Sequence, residues 1–265
     1  MNLFQNQDLY PKEEEIIINH FKNYFESCYI ALLPFFKLRN INKSSNNYKK
    51  SRLISYEELQ QEVEEIKNIP IPEALIFSYD NPDYPNEKEI IENGQEISWE
   101  WIIKNSKLND IRDIYKALGT SIGAFKTKYA RPELAEILMT FTNTNQIWHP
   151  VEGMYDTISK IKIYNALKKL GISKIIVSDE FYDNSKEINL LKISISDFIN
   201  KIKEKDYYIY SKEKSILFTI GWDSFFYIIC STEKNIKIIT NSESIEGFFA
   251  NESTTENWIF DFEKY

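Results

Sequence analysis

Residues 216–230 read ILFTIGWDSFFYIIC, and this stretch decides the fold class. Two runs of β-branched and aromatic residues flank the segment 221–224 (GWDS), whose glycine and aspartate are typical of turns. A third run of the same kind lies just upstream, at 207–210. Strands that follow one another this closely indicate an antiparallel part of a sheet, because parallel strands need a long crossover between them.

Helical and strand patterns alternate over the rest of the second half. A long helix is predicted over residues 150–170 and is closed by Gly171. A strand follows at 174–178, and then a helix that carries the apolar residues Ile195 and Phe198. This order favours a mixed arrangement of helices and strands.

The first half has more helical than strand patterns. Pro11 and the acids after it predict a helix start, and the apolar stripe of that helix extends to Cys28. A buried strand follows at 29–38, interrupted or placed at an edge by Pro34, which has no N–H for a ladder. Further helices are predicted near 98–106, 111–118 and 132–141, and a capping box (Ser55, Glu58) opens another.

We therefore predict an α+β fold with a soft boundary near residues 142–149. Residues 1–148 form a helix-rich half, and residues 149–265 form a mixed or antiparallel sheet with helices. One continuous domain is the alternative to two.

Composition excludes several classes of protein. The chain has 265 residues, 43% of them hydrophobic, and a net charge of −8, which predicts a globular acidic protein rather than a disordered one. It lacks a membrane-spanning apolar stretch, and its N-terminus lacks the pattern of a secretory signal, so we expect a cytoplasmic protein. Its glycines form no phosphate-binding loop, which argues against nucleotide chemistry by that route.

Cysteine and histidine are too rare for a structural zinc site. The chain has two of each, and Cys28 and Cys230 both lie in apolar contexts, so we expect buried free thiols and no cofactor.

The C-terminal end is acidic and aromatic. Residues 243–263 contain six carboxylates, five aromatic side chains and no Lys or Arg, a combination that suits a surface for a basic protein partner. The alternative is that these aromatics form the last layer of the core and that the turn tryptophan folds back onto it. The predicted contact residues are Trp222, Asp223, Phe248, Phe249, Glu252, Glu256 and Trp258.

Two other places contain candidate catalytic groups. His149 and Glu152 lie three residues apart at a predicted helix start, where they would serve as a base with its orienting acid, or where Glu152 simply caps the helix. Asp179 and Glu180 follow a predicted strand and are either functional acids or ordinary turn residues. A basic segment, 37–52, has six cations and no acid, but the net charge argues against nucleic acid as its ligand.

Several of these motifs together resemble a known family. The segments 220–226 (IGWDSFF), 246–249 (EGFF) and 254–258 (TTENW) resemble the closing pattern of an uncharacterised bacterial domain-of-unknown-function family, the 2711 type. The segments 150–153 (PVEG) and 179–181 (DEF) are similar to its middle section. The resemblance implies no activity, cofactor or catalytic residue.

The leading functional hypothesis is a cytoplasmic, non-enzymatic interaction module of the inhibitor or immunity type, which covers a basic protein. The second hypothesis is a small carboxylate-dependent hydrolase that uses His149, Glu152, Asp179 and Glu180.

Overall fold

The computed structural model describes residues 8–41, 43–45, 84–126 and 128–259, together with the strand backbones at 53–54 and 76–77. The strands are β1 (Ser27–Leu32), β2 (Phe35–Leu38), β3 (Leu53–Ile54), β4 (Ile76–Phe77), β5 (Gly94–Ile97), β6 (Lys174–Asp179), β7 (Ser185–Asn189), β8 (Asp206–Ser211), β9 (Leu217–Ile220), β10 (Phe226–Ser231) and β11 (Gly247–Phe249). The helices are α1 (Ile17–Phe21), α2 (Glu87–Asn93), α3 (Trp99–Asn105), α4 (Ile111–Ser121), α5 (Pro132–Thr144), α6 (Thr157–Lys169), α7 (Ile195–Lys201) and α8 (Glu233–Ser242).

Seven of these strands form one sheet in the order β11-β1-β10-β9-β8-β6-β7, and every neighbouring pair is antiparallel. The predicted hairpin is confirmed, since β9 pairs with β10 on either side of the turn 221–224. The α+β class is therefore confirmed. The helix-rich character of residues 1–148 stays a prediction, because part of that half lies outside the described residues, including the segment after the predicted capping box at Ser55 and Glu58.

Strand β1 joins the two predicted halves of the chain. It lies between β10 and β11, with Cys28 opposite Cys230 and Ile30 opposite Phe248. Because removing it would separate β11 from the rest of the sheet, we propose one continuous domain rather than two.

Helices cover both faces of the sheet. Alternate residues of a strand point to opposite faces, so Ile30 and Ile228 face the layer that contains α1, α3, α4 and α5, while Tyr29 and Ile229 face the layer that contains α6, α7 and α8. All six residues of β10 are buried. Burial on both faces explains why the sequence FFYIIC is continuously apolar instead of alternating.

Two predicted helices are shorter than their sequence patterns. The first spans only Ile17–Phe21, because residues from Ser27 onward pair with β10 instead. The second begins at Thr157 rather than at Pro150, and its cap is Asp156, whose carboxylate accepts hydrogen bonds from Ile158 N and Ser159 N. The prediction that Glu152 caps this helix is therefore wrong.

Proline and glycine mark the other boundaries as predicted. Strand β1 ends before Pro34, and β2 then pairs with β5 in a separate two-stranded sheet. Pro132 is the first residue of α5, and Gly171 ends α6 with a φ of +71°. Within the described ranges, no helix has the length and apolar character needed to cross a membrane.

Candidate functional site

A cavity of about 1040 Å³ opens beside the turn 221–224. Segments that are distant in sequence surround it: the N-terminal stretch 8–13, Tyr115 of α4 with residues 124–125 after it, the turn between β6 and β7, Tyr208 of β8, the turn 221–224, and residues 256–259. Of the described residues that line it, Lys12 alone is cationic. We call this cavity the acidic cleft, because its lining includes the carboxylates Asp8, Glu13, Glu180, Asp223 and Glu256.

Two glycines hold the turn 221–224 in place. Gly221 lies against the ring of Tyr10, and an added Cβ would collide with that ring. Gly153 has a φ of +64°, donates its N–H to Ser224 O (3.0 Å) and lies directly against the carbonyl group of Trp222. The Trp222 side chain, which this turn carries, is 71% exposed and lines the cleft, so it does not fold onto the core.

The inner end of the cleft is a small hydroxyl and carboxyl cluster. The Tyr10 hydroxyl lies 3.1 Å from Ser224 Oγ and donates to Glu256 Oε1 at 3.3 Å. Burial raises the pKa of the Glu256 carboxyl to about 7, and the negative charges of Glu13 and Asp223 add to the rise. This carboxyl group therefore gains or loses its proton near neutral pH.

Stacked tyrosines form another wall of the cleft. The rings of Tyr182 and Tyr208 lie 5.1 Å apart with an interplanar angle of 18°. Leu9 N donates to the Tyr182 hydroxyl (3.0 Å), and this contact attaches the N-terminal stretch to the β6–β7 turn. Phe181, next to Tyr182, is 75% exposed. The cleft thus has two exposed aromatic side chains on its lining, Phe181 and Trp222.

The acidic pair after β6 divides between two roles. Asp179 Oδ2 accepts hydrogen bonds from Asn184 N (3.1 Å) and Asn184 Nδ2 (2.7 Å), which stabilise the turn. Glu180 instead lines the acidic cleft. The turn interpretation thus describes Asp179, while Glu180 faces a cavity.

His149 lies in the interior, where it is 3% exposed. Its Nε2 shares a hydrogen bond with Thr142 Oγ1 (2.8 Å), and its ring packs edge-on against Phe35. Burial lowers the pKa of its imidazole to about 3, so the ring is neutral at physiological pH. Burial also raises the pKa of Glu152, with a further contribution from Asp223. The cleft lining includes Glu180 but neither His149 nor Glu152.

The predicted contact residues fall into two groups. Trp222, Asp223 and Glu256 line the cleft. Trp258 is only 4% exposed and packs against Phe248 with ring centroids 5.0 Å apart. The second group does not line the cleft: Phe248, Phe249 and Trp258 pack on the core, and Glu252 is an exposed surface residue.

Sequence reasoning missed most of the residues that line the cleft, among them Tyr10, Glu13 and Phe181. Phe181 had a usable signal, because an acid beside an aromatic residue after a strand repeats the Trp222-Asp223 pattern. Tyr10 had none, since it reaches the cleft through contacts with residues more than two hundred positions away, such as Ser224.

The described part of the basic segment is engaged within the protein. Lys43 Nζ lies 2.9 Å from a carboxylate oxygen of Glu89, and Lys37 Nζ lies over the ring of Trp101. Lys49, Lys50 and Arg52 lie outside the described residues. In the described ranges no group of three His, Cys, Asp or Glu side chains is arranged to hold a metal ion.

Comparisons with known proteins place this fold in a family. Residues 13–260 match the family described as "Protein of unknown function (DUF2711)". "Uncharacterized protein YwbB" of Bacillus subtilis (strain 168) is 25% identical over 178 residues, which make up 66% of this chain and 77% of that protein. No solved structure matches the chain.

Proposed function

Given that the chain belongs to the DUF2711 family of proteins of unknown function, we propose from the geometry that it binds a basic protein partner through the acidic cleft. The observation that carries this proposal is the convergence of five carboxylates on one cavity with two exposed aromatic side chains, Trp222 and Phe181. An inhibitor or immunity-type module, without catalysis of its own, is the form of binding protein that we propose.

Charge and aromatic surface support the proposal in different ways. The net charge of −8 and the carboxylates of the cleft attract a cationic partner over a distance and raise its association rate. Exposed tryptophan and phenylalanine then supply apolar area and a face for cation–π contact with Lys or Arg. Trp222 is therefore the anchor that we expect to contribute most to affinity.

A binding titration with a heptalysine peptide tests this proposal. We expect the parent protein to bind the peptide, and we expect Trp222→Ala and Asp223→Asn to weaken binding at least roughly tenfold. The matched control is Trp101→Ala, because Trp101 is 36% exposed but does not line the cleft. Binding should also weaken when the salt concentration rises from about 50 to about 300 mM, since screening reduces the attraction. Absence of binding, or equal losses for Trp101→Ala and Trp222→Ala, would overturn the proposal.

The carboxylate-dependent hydrolase is the second candidate, and one observation favours it in a modified form. Glu256, whose carboxyl pKa is raised to about 7 by burial, lines the same cavity as Glu180, and an acid with a raised pKa together with a second carboxylate suits general acid–base catalysis. Screening a panel of ester, amide and glycoside substrates with the parent and Glu256→Gln proteins separates the two candidates. Turnover by the parent that disappears in Glu256→Gln supports the hydrolase. Lack of turnover by the parent favours the binding protein without catalysis.

A further inference from the structure

We propose that the inner end of the acidic cleft is a pocket for one cationic side-chain head group, ammonium or guanidinium, and that the Glu256 carboxylate receives it. This inference rests on the proposed function, because it names the part of the basic partner that enters the cleft.

The hydrogen bonds of Glu256 differ from those of other buried carboxylates in the chain. Asp206 pairs with Lys186 Nζ at 2.6 Å, and Asp156 accepts two backbone N–H groups at the start of α6. Glu246 accepts the N–H groups of Trp99 and Glu100. Glu256 instead accepts from the Tyr10 hydroxyl, a neutral donor, and none of the ion pairs among the described residues includes it.

The surroundings of Glu256 destabilise its negative charge, and a cation beside the carboxylate would offset this effect. Glu13 and Asp223 face it from the N-terminal stretch and from the turn 221–224, and both raise its pKa by repulsion, after the larger effect of burial. Tyr115 faces the same cluster from α4 as a neutral phenol, since burial raises its pKa further above neutrality. A cation beside the carboxylate would replace the proton that Glu256 holds near neutral pH, so binding and proton release are linked.

The shape of the cleft fits a long side chain with a charged end. The rings of Tyr10 and Tyr115 line the cavity beside Glu256, and the methylene groups of Lys or Arg pack well on such surfaces while the head group reaches the carboxylate. Ser224 Oγ, 3.1 Å from the Tyr10 hydroxyl, provides a second oxygen acceptor at the same end. A volume of about 1040 Å³ exceeds that of one side chain, so neighbouring partner residues would occupy the part of the cleft near Trp222 and Phe181.

Calorimetric titration of the full-length protein tests the pocket. The probes are three capped heptapeptides, Gly-Gly-Ser-X-Ser-Gly-Gly with X as lysine, arginine or norleucine, and heptalysine as a fourth. Each is titrated at about pH 6.5 in two buffers with different ionisation enthalpies, which gives the number of protons released on binding. The variants are Glu256→Gln, the exposed control Glu252→Gln, and Trp222→Ala.

We expect the cationic peptides to bind at least roughly tenfold more tightly than the norleucine peptide, with release of a fraction of a proton for each peptide bound. Glu256→Gln should abolish proton release and weaken binding, whereas Glu252→Gln should change neither. The lysine and arginine peptides show which head group is preferred. The proton count is measured on the parent protein, so the test does not depend on how well a variant folds.

Two other outcomes separate this inference from the proposed function. In the first, heptalysine binding depends on Trp222 but releases no proton and is unchanged by Glu256→Gln. That result would overturn the pocket and leave the acidic cleft as the partner surface. Lack of binding by all four peptides would overturn both.

Discussion

Glu256 makes the free energy of unfolding depend on pH, and unfolding experiments can measure this dependence. Its carboxyl pKa is about 7 in the folded protein and near its usual 4.5 in the unfolded chain. The folded state therefore binds more protons between these pH values, so this contribution to stability is present below about pH 4.5 and is lost as pH rises through about 7. From pH 5 to pH 8 we expect the free energy of unfolding to fall by roughly 2 kcal/mol through this group.

Urea denaturation of the parent and Glu256→Gln proteins at both pH values checks this expectation. The variant should be more stable than the parent at pH 8 and about equally stable at pH 5. His149 imposes the opposite slope below pH 6.5, because its folded pKa is lowered to about 3, but it is present in both proteins and cancels from the difference. A stability difference that does not change with pH would contradict the role given to Glu256.

Gly153 and Gly171 form a matched pair for testing what positions Trp222. Both have positive φ, +64° and +71°, so an alanine at either position is strained by roughly 1 kcal/mol. A Cβ at Gly171 meets nothing within 4 Å, whereas one at Gly153 would collide with the Trp222 carbonyl group. We expect Gly153→Ala to destabilise the protein by roughly 2–4 kcal/mol, or to displace the turn and weaken peptide binding, while Gly171→Ala leaves binding unchanged. Thermal unfolding measures the change in stability, and the heptalysine titration measures the change in peptide binding.

At the scale of elements, the motif 246–249 (EGFF) connects strand β11 to helix α3 and strand β1. The Glu246 carboxylate accepts the N–H groups of Trp99 (2.6 Å) and Glu100 (2.7 Å), which are the first two of α3 and have no partner within the helix. Gly247 lies close against the Ile30 carbonyl group, and the ring of Phe249 packs edge-on against Tyr29. An acidic residue that sequence analysis grouped with a partner surface is thus a helix cap.

Removing this cap should weaken the fold. We expect Glu246→Ala to lower the free energy of unfolding by roughly 1–3 kcal/mol, because two N–H groups lose their acceptor and Trp99 is fully buried. Glu246→Gln keeps one acceptor oxygen, so its free energy of unfolding should lie between those of Glu246→Ala and the parent protein. Urea unfolding checks the order, with exposed Glu252→Ala as the control, which should stay within roughly 0.5 kcal/mol of the parent. Equal stability of Glu246→Ala and the parent would show that the two hydrogen bonds contribute nothing.

Some elements were predictable because their signals are local. Helices α4 and α5 follow from apolar stripes, and α5 also has its proline at the first position. Strand β11 was not predicted, because three residues are too few for a periodic pattern, and it exists through pairing with β1. The first helix was overestimated because Cys28 fits both a helical stripe and a strand, and pairing with β10 decides between them.

The whole molecule depends on a sheet that draws strands from both ends of the chain. In the order β11-β1-β10, strand β1 supplies the hydrogen-bond partners of both neighbours. We therefore expect the fragment 149–265 to lack cooperative thermal unfolding, whereas the full chain unfolds in a cooperative transition. Circular dichroism melts of both proteins check this. A fragment with a sharp transition and native-like near-ultraviolet signal would instead establish two independent domains.

The sequence by itself determined strands β6, β8, β9 and β10, helix α7 and most of helix α6, the interruption at Pro34, the α+β class and the resemblance to the family, because each depends on residues close together in the chain. Only the tertiary structure decided which carboxylates and aromatics face the cleft. Trp222 and Trp258 are the same residue type, yet one is 71% exposed and the other 4%, and Glu246 and Glu256 are a helix cap and a cleft carboxylate. The reason is physical: exposure and protonation depend on contacts such as that between Tyr10 and Glu256, 246 positions apart, which local sequence patterns do not encode.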